Sequence, residues 1–154
     1  MGFQHIGADT MNLDIGCGEN KREGFIGMDS RNVKCVDIVH DLQELPWPID
    51  DDSCFAINAS HVLEHLKPWK FFEVMDEAWR VTAEGGGIDI KVPVGISYKT
   101  DPSHTIEFNH LSFWHLDPSK DFYKTYKSKP WKILSSEAID NGQQLRVILQ
   151  KETK

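Results

Sequence analysis

Long apolar runs are missing from this chain: none approaches the roughly 18 residues that a spanning helix needs, so no transmembrane segment is expected. The opening stretch MGFQHIGADT lacks the basic, apolar and small-residue blocks of a secretory leader, and no secretion is expected. Ile6 stands where a myristoylation signal following Gly2 would carry Ser or Thr. Positive charge is also short. A formal net charge of −7 disfavours a phosphate backbone as the main partner, because duplex binders present a basic face. The late lysines (Lys120, Lys124, Lys127, Lys129 and Lys132) read as solvated surface. Cysteine is scarce, and Cys17, Cys35 and Cys54 form no C-x-x-C pair. They read as buried thiols of a reducing, cytoplasmic compartment, not as a disulfide frame or zinc site. With no repeat, low-complexity tract or linker, the 154 residues (1–154) read as one domain.

What is present is a string of short strands with punctuated ends. MNLDI (11–15), GFIGMD (24–29), CVDIVHDL (35–42) and CFAINAS (54–60) read as four strands. Pro68 suits a first helical turn, and Phe71, Phe72, Met75, Ala78, Trp79 and Thr82 follow one helix face until EGGG (84–87) stops it. GIDIKVPV (87–94) is a fifth strand. Residues 97–126 read as loops with one or two short helices broken near Pro118. WKILSSEAI and QQLRVILQKE around an Asn-Gly turn predict a closing antiparallel hairpin. The order predicts an α/β, Rossmann-like, mostly parallel sheet with a C-terminal antiparallel hairpin.

In such sheets a ligand lies beyond the carboxyl ends of the strands, where strand order reverses. Gly16 and Gly18, Asp29 and Asp41 stand at three such ends. The two glycines of LDIGCGE let a backbone pass close to a ligand. Asp29 is placed to accept both hydroxyls of a ribose, and Asp41 beside Leu42 suits an adenine, with its exocyclic amine and flat apolar faces. Asp14 decides between nucleotides. A carboxylate there would repel a dinucleotide's pyrophosphate but welcome an ammonium or sulfonium, which favours S-adenosylmethionine over NAD. The alternative for Asp14 is a carboxylate that binds its own turn.

Here the chain resembles the class I, Rossmann-like S-adenosylmethionine-dependent methyltransferases, and especially their small type 11 branch, over roughly residues 11–110. The carriers are LDIGCG (13–18), GFIGMD (24–29), HDLQELPWPIDDDSCFAINASHVLEHL (40–66) and AWRVTAEGGGIDIKVP (78–93). The resemblance implies that Asp14, Gly16, Cys17 and Gly18 hold the methionine end of the cofactor, that Asp29 binds its ribose, and that Asp41 and Leu42 frame the adenine. Ser60 and His61 would sit by the sulfonium. Two departures stand out. Asn20 replaces the usual third glycine, and Asp29 follows Gly18 by only 11 residues where about 17 to 20 is usual. The first two connecting helices are therefore expected to be shortened or absent. One sheet face is then expected to be covered by a second subunit, as in a homodimer, or by residues 97–126.

Methyl transfer needs alignment and exclusion of water, and a base only if the acceptor keeps its proton until late. His61 is the candidate facing the acceptor. His104, in a DPSH element similar to one of this branch, either faces the acceptor or stabilises its loop. His61 and His65 stand i, i+4 in HVLEH, but this is not H-E-x-x-H and no third ligand has a motif spacing, so no metal is expected. NASHVLEH stands where amino-methylating DNA enzymes carry an Asp/Asn-Pro-Pro-Tyr/Phe element, and no cysteine follows a proline as cytosine-C5 enzymes require. A small-molecule acceptor is expected, without nucleic-acid or membrane partners. Two rivals remain: a short nucleotide-sugar or NAD protein of Rossmann type, and a non-catalytic module that keeps the fold to bind a partner.

Overall fold

The computed structural model describes residues 9–153. The leader and myristoylation readings fall largely on residues outside that range. Among the described residues no helix is long and apolar enough to cross a membrane. Among the described residues seven strands form one sheet: β1 Met11–Ile15, β2 Ile26–Asp29, β3 Ile38–Val39, β4 Cys54–Ser60, β5 Thr82–Pro93, β6 Trp131–Ile139 and β7 Gln144–Lys151. Their order is β3-β2-β1-β4-β5-β7-β6, with β1 to β5 parallel and β7 antiparallel to both β5 and β6. The expected fold class is observed, and the strand order reverses between β1 and β4.

The main helix, α1 (Phe71–Val81), forms as its spacing predicts: Phe71, Val74, Met75, Ala78 and Val81 are buried on one face. Phe72 and Trp79, expected in the same stripe, are only partly buried at its rim. The EGGG segment does not separate helix from strand. β5 begins at once at Thr82, whose hydroxyl donates to the Ala78 carbonyl at 2.6 Å, and pairing then jumps from Cys54↔Thr82 to Ala56↔Gly87. Residues 83–86 thus bulge opposite Phe55. The third strand shrinks from the expected 35–42 to Ile38–Val39, because a turn bonds Val36 N to the Val33 carbonyl and Asp37 spends a carboxylate oxygen on Gly27 N (2.8 Å) and Lys21 Nζ (2.9 Å). The connection from β1 to β2 contains turns and no helix, and so does that from β2 to β3.

The two sheet faces differ sharply. Register puts Leu13, Ile57, Ile88 and Leu149 on one face, and Ile15, Ala59, Ile90 and Val147 continue it. These residues form one core with α1 and with Phe108, Phe113 and Leu116 of the long β5–β6 connection, which contains α2 (Ile96–Lys99) and two 3-10 segments (His110–Leu116 and Asp121–Thr125). The opposite face bears Asp14, Asn58, Asp89 and Arg146 from β1, β4, β5 and β7. Arg146 grips Asp89 by two bonds (3.0 and 2.8 Å), and Arg22 Nη1 reaches both Asn58 Oδ1 (3.4 Å) and Asp89 Oδ2 (3.6 Å). The expectation that residues 97–126 cover an open sheet face is therefore corrected. Phe108 and Phe113 of that stretch pack on Phe71, on the α1 side. The other face carries charged and amide side chains paired with one another, so it has far less apolar area in need of a cover.

Candidate functional site

Beyond the carboxyl ends of β1, β2 and β4 lies a hollow of about 470 Å³, within the usual ~300–1,000 Å³ of small-molecule sites. Gly16 follows β1 at its wall, Asp29 ends β2, Asp41 and Leu42 follow β3, and His61 and Val62 follow β4. Sequence reasoning brings five of these together: Gly16, Asp29, Asp41, Leu42 and His61. Gly16 has φ +62, and a Cβ on it would run into the Val62 side chain. The turn therefore needs glycine on both counts. Ser30, Arg31, Gln43, Val62, His65 and Leu66 also line it, and sequence reasoning assigned none of them to a ligand.

Asp29 is 8% exposed and well anchored. Its Oδ2 accepts from Gly18 N (2.9 Å) and its Oδ1 from Arg31 N (2.9 Å) and Arg31 Nε (3.4 Å). Burial raises its pKa, but these donors outweigh burial and hold the carboxyl below its ordinary value. Oδ2, with one donor, retains lone-pair capacity for a hydroxyl, whereas Oδ1 already takes two donors, the Arg31 Nε bond being the longer. Asp41 Oδ1 accepts from Gln43 N (2.9 Å), which fixes the loop that offers Leu42.

Asp14, Cys17, Gly18 and Ser60 are not on the wall. Asp14 is 3% exposed, and its oxygens accept from Arg22 N (2.8 Å) and Asn58 Nδ2 (3.0 Å). It clamps the β1–β2 connection onto the polar face. Gly18 serves through its amide on Asp29. Burial first, then the carboxylates of Asp14 and Asp29, push the Cys17 thiol up to about 11, so it is protonated and unreactive at neutral pH. Ser60 pairs with Lys91 across β4 and β5. The three cysteines are unpaired, and Cys35 is only half-buried.

His61 has φ +55, a left-handed conformation uncommon outside glycine, and it marks the strained bend after β4. Its Nε2 donates to Gln144 Oε1 (2.9 Å), while the Gln144 amide nitrogen donates to Asp140 (3.0 Å) and fixes the orientation. Its Nδ1 lies 3.6 Å from Glu64 Oε2. Glu64 above all, with help from Gln144 and against burial, raises the His61 pKa. Gln144 also lines a second cavity of about 410 Å³ with Glu107, Asn109 and His110, so the His61–Gln144 bond joins the two spaces. His104 is not at the hollow. Its Nδ1 donates to the Tyr98 carbonyl (2.6 Å), and its ring meets His65 edge-on at 4.8 Å.

No protein-family model matches the chain, and no curated protein matches it by sequence. Solved structures do match its shape. A SAM-dependent methyltransferase from Archaeoglobus fulgidus superposes with TM-score 0.66 at 17% identity, over 92% of this chain and 86% of that one. The 1,6-didemethyltoxoflavin-N1-methyltransferase of Burkholderia thailandensis, solved with bound S-adenosylhomocysteine, gives TM-score 0.67 at 12% identity, over 93% and 71%. The [4+2]-cyclase SpnF gives 0.62 at 14% identity, over 94% and 76%. With its 3-2-1-4-5-7-6 sheet and these neighbours, the chain has the class I, Rossmann-like fold of the S-adenosylmethionine-dependent methyltransferases.

Proposed function

We propose that this chain is an S-adenosylmethionine-dependent methyltransferase that moves a methyl group to an O, N or C nucleophile of a small-molecule acceptor by in-line displacement. The observation that carries the reading is the hollow shared by Gly16, Asp29, Asp41 and Leu42 at the point where strand order reverses. The residues present fit the cofactor. Asp29 would hold the ribose hydroxyls, Asp41 and Leu42 the adenine, and the Gly16 turn, supported by Asp14, Cys17 and Gly18, the methionine end. The bound donor supplies a methyl group already activated on a sulfonium. The protein's task is then to orient the acceptor and exclude water. His61 would face the acceptor, with Ser60 beside it, and its Nε2–H, now given to Gln144, is the donor that would align an acceptor atom entering from the second cavity. His104, with Nδ1 committed to Tyr98, is the weaker of the two histidine assignments.

SpnF has this fold and is a cyclase, so binding and turnover need separate tests. Thermal unfolding is measured with S-adenosylmethionine, S-adenosylhomocysteine and NAD. The first two are expected to stabilise and NAD is not, and Asp29→Ala is expected to abolish the shift. A shift that survives Asp29→Ala removes the ribose assignment. Tight binding with no methyl transfer across a metabolite panel favours the non-catalytic module.

A further inference from the structure

Glu64 is fully buried, yet neither carboxylate oxygen receives a hydrogen bond. Burying a carboxylate without partners costs several kcal/mol, and His61 Nδ1 at 3.6 Å offers only a long charge contact. Two further histidines stand near it. One potential ligand atom each from Glu64, His65 and His104 lies within 4.8 Å of the others.

The hydrogen bonds around the two rings fix their tautomers. The Tyr98 carbonyl can only accept, so His104 Nδ1 carries the proton. Ser103 Oγ donates to the Asp101 carboxylate (2.7 Å) and must therefore accept from His65 Nδ1–H at 3.1 Å. In the neutral rings both Nε2 atoms are left with bare lone pairs. Outer partners that hold Nδ1–H and free Nε2 are how protein sites prepare imidazoles for a metal. Asp101 Oδ2, 3.7 Å from His104 Nε2, adds a second negative charge beside the cluster.

We propose that Glu64, His65 and His104 form a site for one divalent transition cation of the zinc class. Two imidazole nitrogens and one carboxylate are the donor set of open zinc and non-haem iron sites. Magnesium and calcium prefer all-oxygen shells and fit poorly. Bonds of about 2.0–2.2 Å to one ion would draw the donors to within about 3.5 Å of one another, a closure the exposed His65 ring can make by side-chain rotation. The buried Glu64 charge would be neutralised, and the exposed side would leave a position for water or ligand. The site adjoins the hollow, since His65 lines both. Its residues come from the 3-10 turn after β4 and the loop after β5, some forty positions apart in sequence.

The test uses the full chain without a histidine tag, stripped with chelator and then equilibrated with Zn²⁺ or Co²⁺ in the absence of S-adenosylmethionine. Elemental analysis is expected to find one Zn²⁺ per chain, and Co²⁺ is expected to give visible absorption bands of low coordination number. His65→Ala, at an exposed position, and Glu64→Gln are each expected to weaken Zn²⁺ binding by tenfold or more, with the metal-free thermal midpoint of His65→Ala unchanged. Substoichiometric Zn²⁺ in the wild type, or undiminished affinity in His65→Ala, overturns the proposal. The cofactor shift is read separately, so either reading can fail while the other stands.

Discussion

Gly16 is the residue on which the hollow turns. Its φ of +62 and the Val62 side chain against its missing Cβ make any larger residue strained and obstructed at once. Gly16→Ala is expected to lose about 1–3 kcal/mol in urea unfolding and to lose the S-adenosylhomocysteine thermal shift. A variant that unfolds like the wild type would remove this account of the turn. That Asp29 and Asp41 share one hollow was legible because strand ends in a parallel sheet converge on one rim. Asp14 was harder to place. Its charge suggested a cationic ligand, but the side a strand residue faces depends on register, and register comes from partner strands far away in sequence. One of its oxygens accepts from Arg22 N and the other from Asn58 Nδ2, on the polar face of the sheet. Glu64 was hidden for a similar reason: HVLEH shows the letter, while burial and the approach of His104 appear only after folding.

At the scale of elements, α1 is tied to the loop before β4 through Glu77. Its Oε1 accepts from Trp47 N (2.6 Å) and Arg80 Nη2 (2.6 Å), and its Oε2 from Arg80 Nε (2.9 Å). Arg80 Nη2 also donates to the Ile49 carbonyl at 2.9 Å. Burial raises the Glu77 pKa, but Arg80 and the Trp47 amide reverse the sign and hold it below the ordinary 4.5. A carboxyl whose folded pKa is depressed contributes stability above its unfolded pKa and loses it as pH falls through the folded one. The wild-type thermal midpoint is therefore expected to drop as pH is lowered from about 5 toward 3. Glu77→Gln is expected to start about 1–3 kcal/mol lower at pH 7 and to show a flatter descent. Equal slopes would exclude Glu77 as a contributor. The helix was legible from its apolar face, but Glu77 lies on the buried side as a polar exception, and apolar periodicity alone does not reveal such a clip.

For the whole molecule, the defining contrast is a sheet with one apolar and one polar face. Asp89, 3% exposed, depends on Arg146 for its two-point contact. Arg146→Ala is expected to cost about 1–3 kcal/mol in urea unfolding, because it strands a buried carboxylate whose other cation, Arg22, stands at 3.6 Å. Loss of less than about 0.5 kcal/mol would mean that the polar face contributes little. The short β1–β2 spacing made the missing helix legible, but which face it would leave open, and that this face is polar, required the register. The missing helix also bears on ligand choice. A helix starting at the Gly16 turn would point its macrodipole's positive pole and its free amides at whatever the turn holds, a cradle suited to phosphates. Here residues 16–25 form turns and the first amides are committed, Gly16 and Cys17 N to the Met28 carbonyl and Gly18 N to Asp29. Free pyrophosphate is accordingly expected to compete poorly for the hollow, and the absent pole makes the turn a better neighbour for cations than for anions.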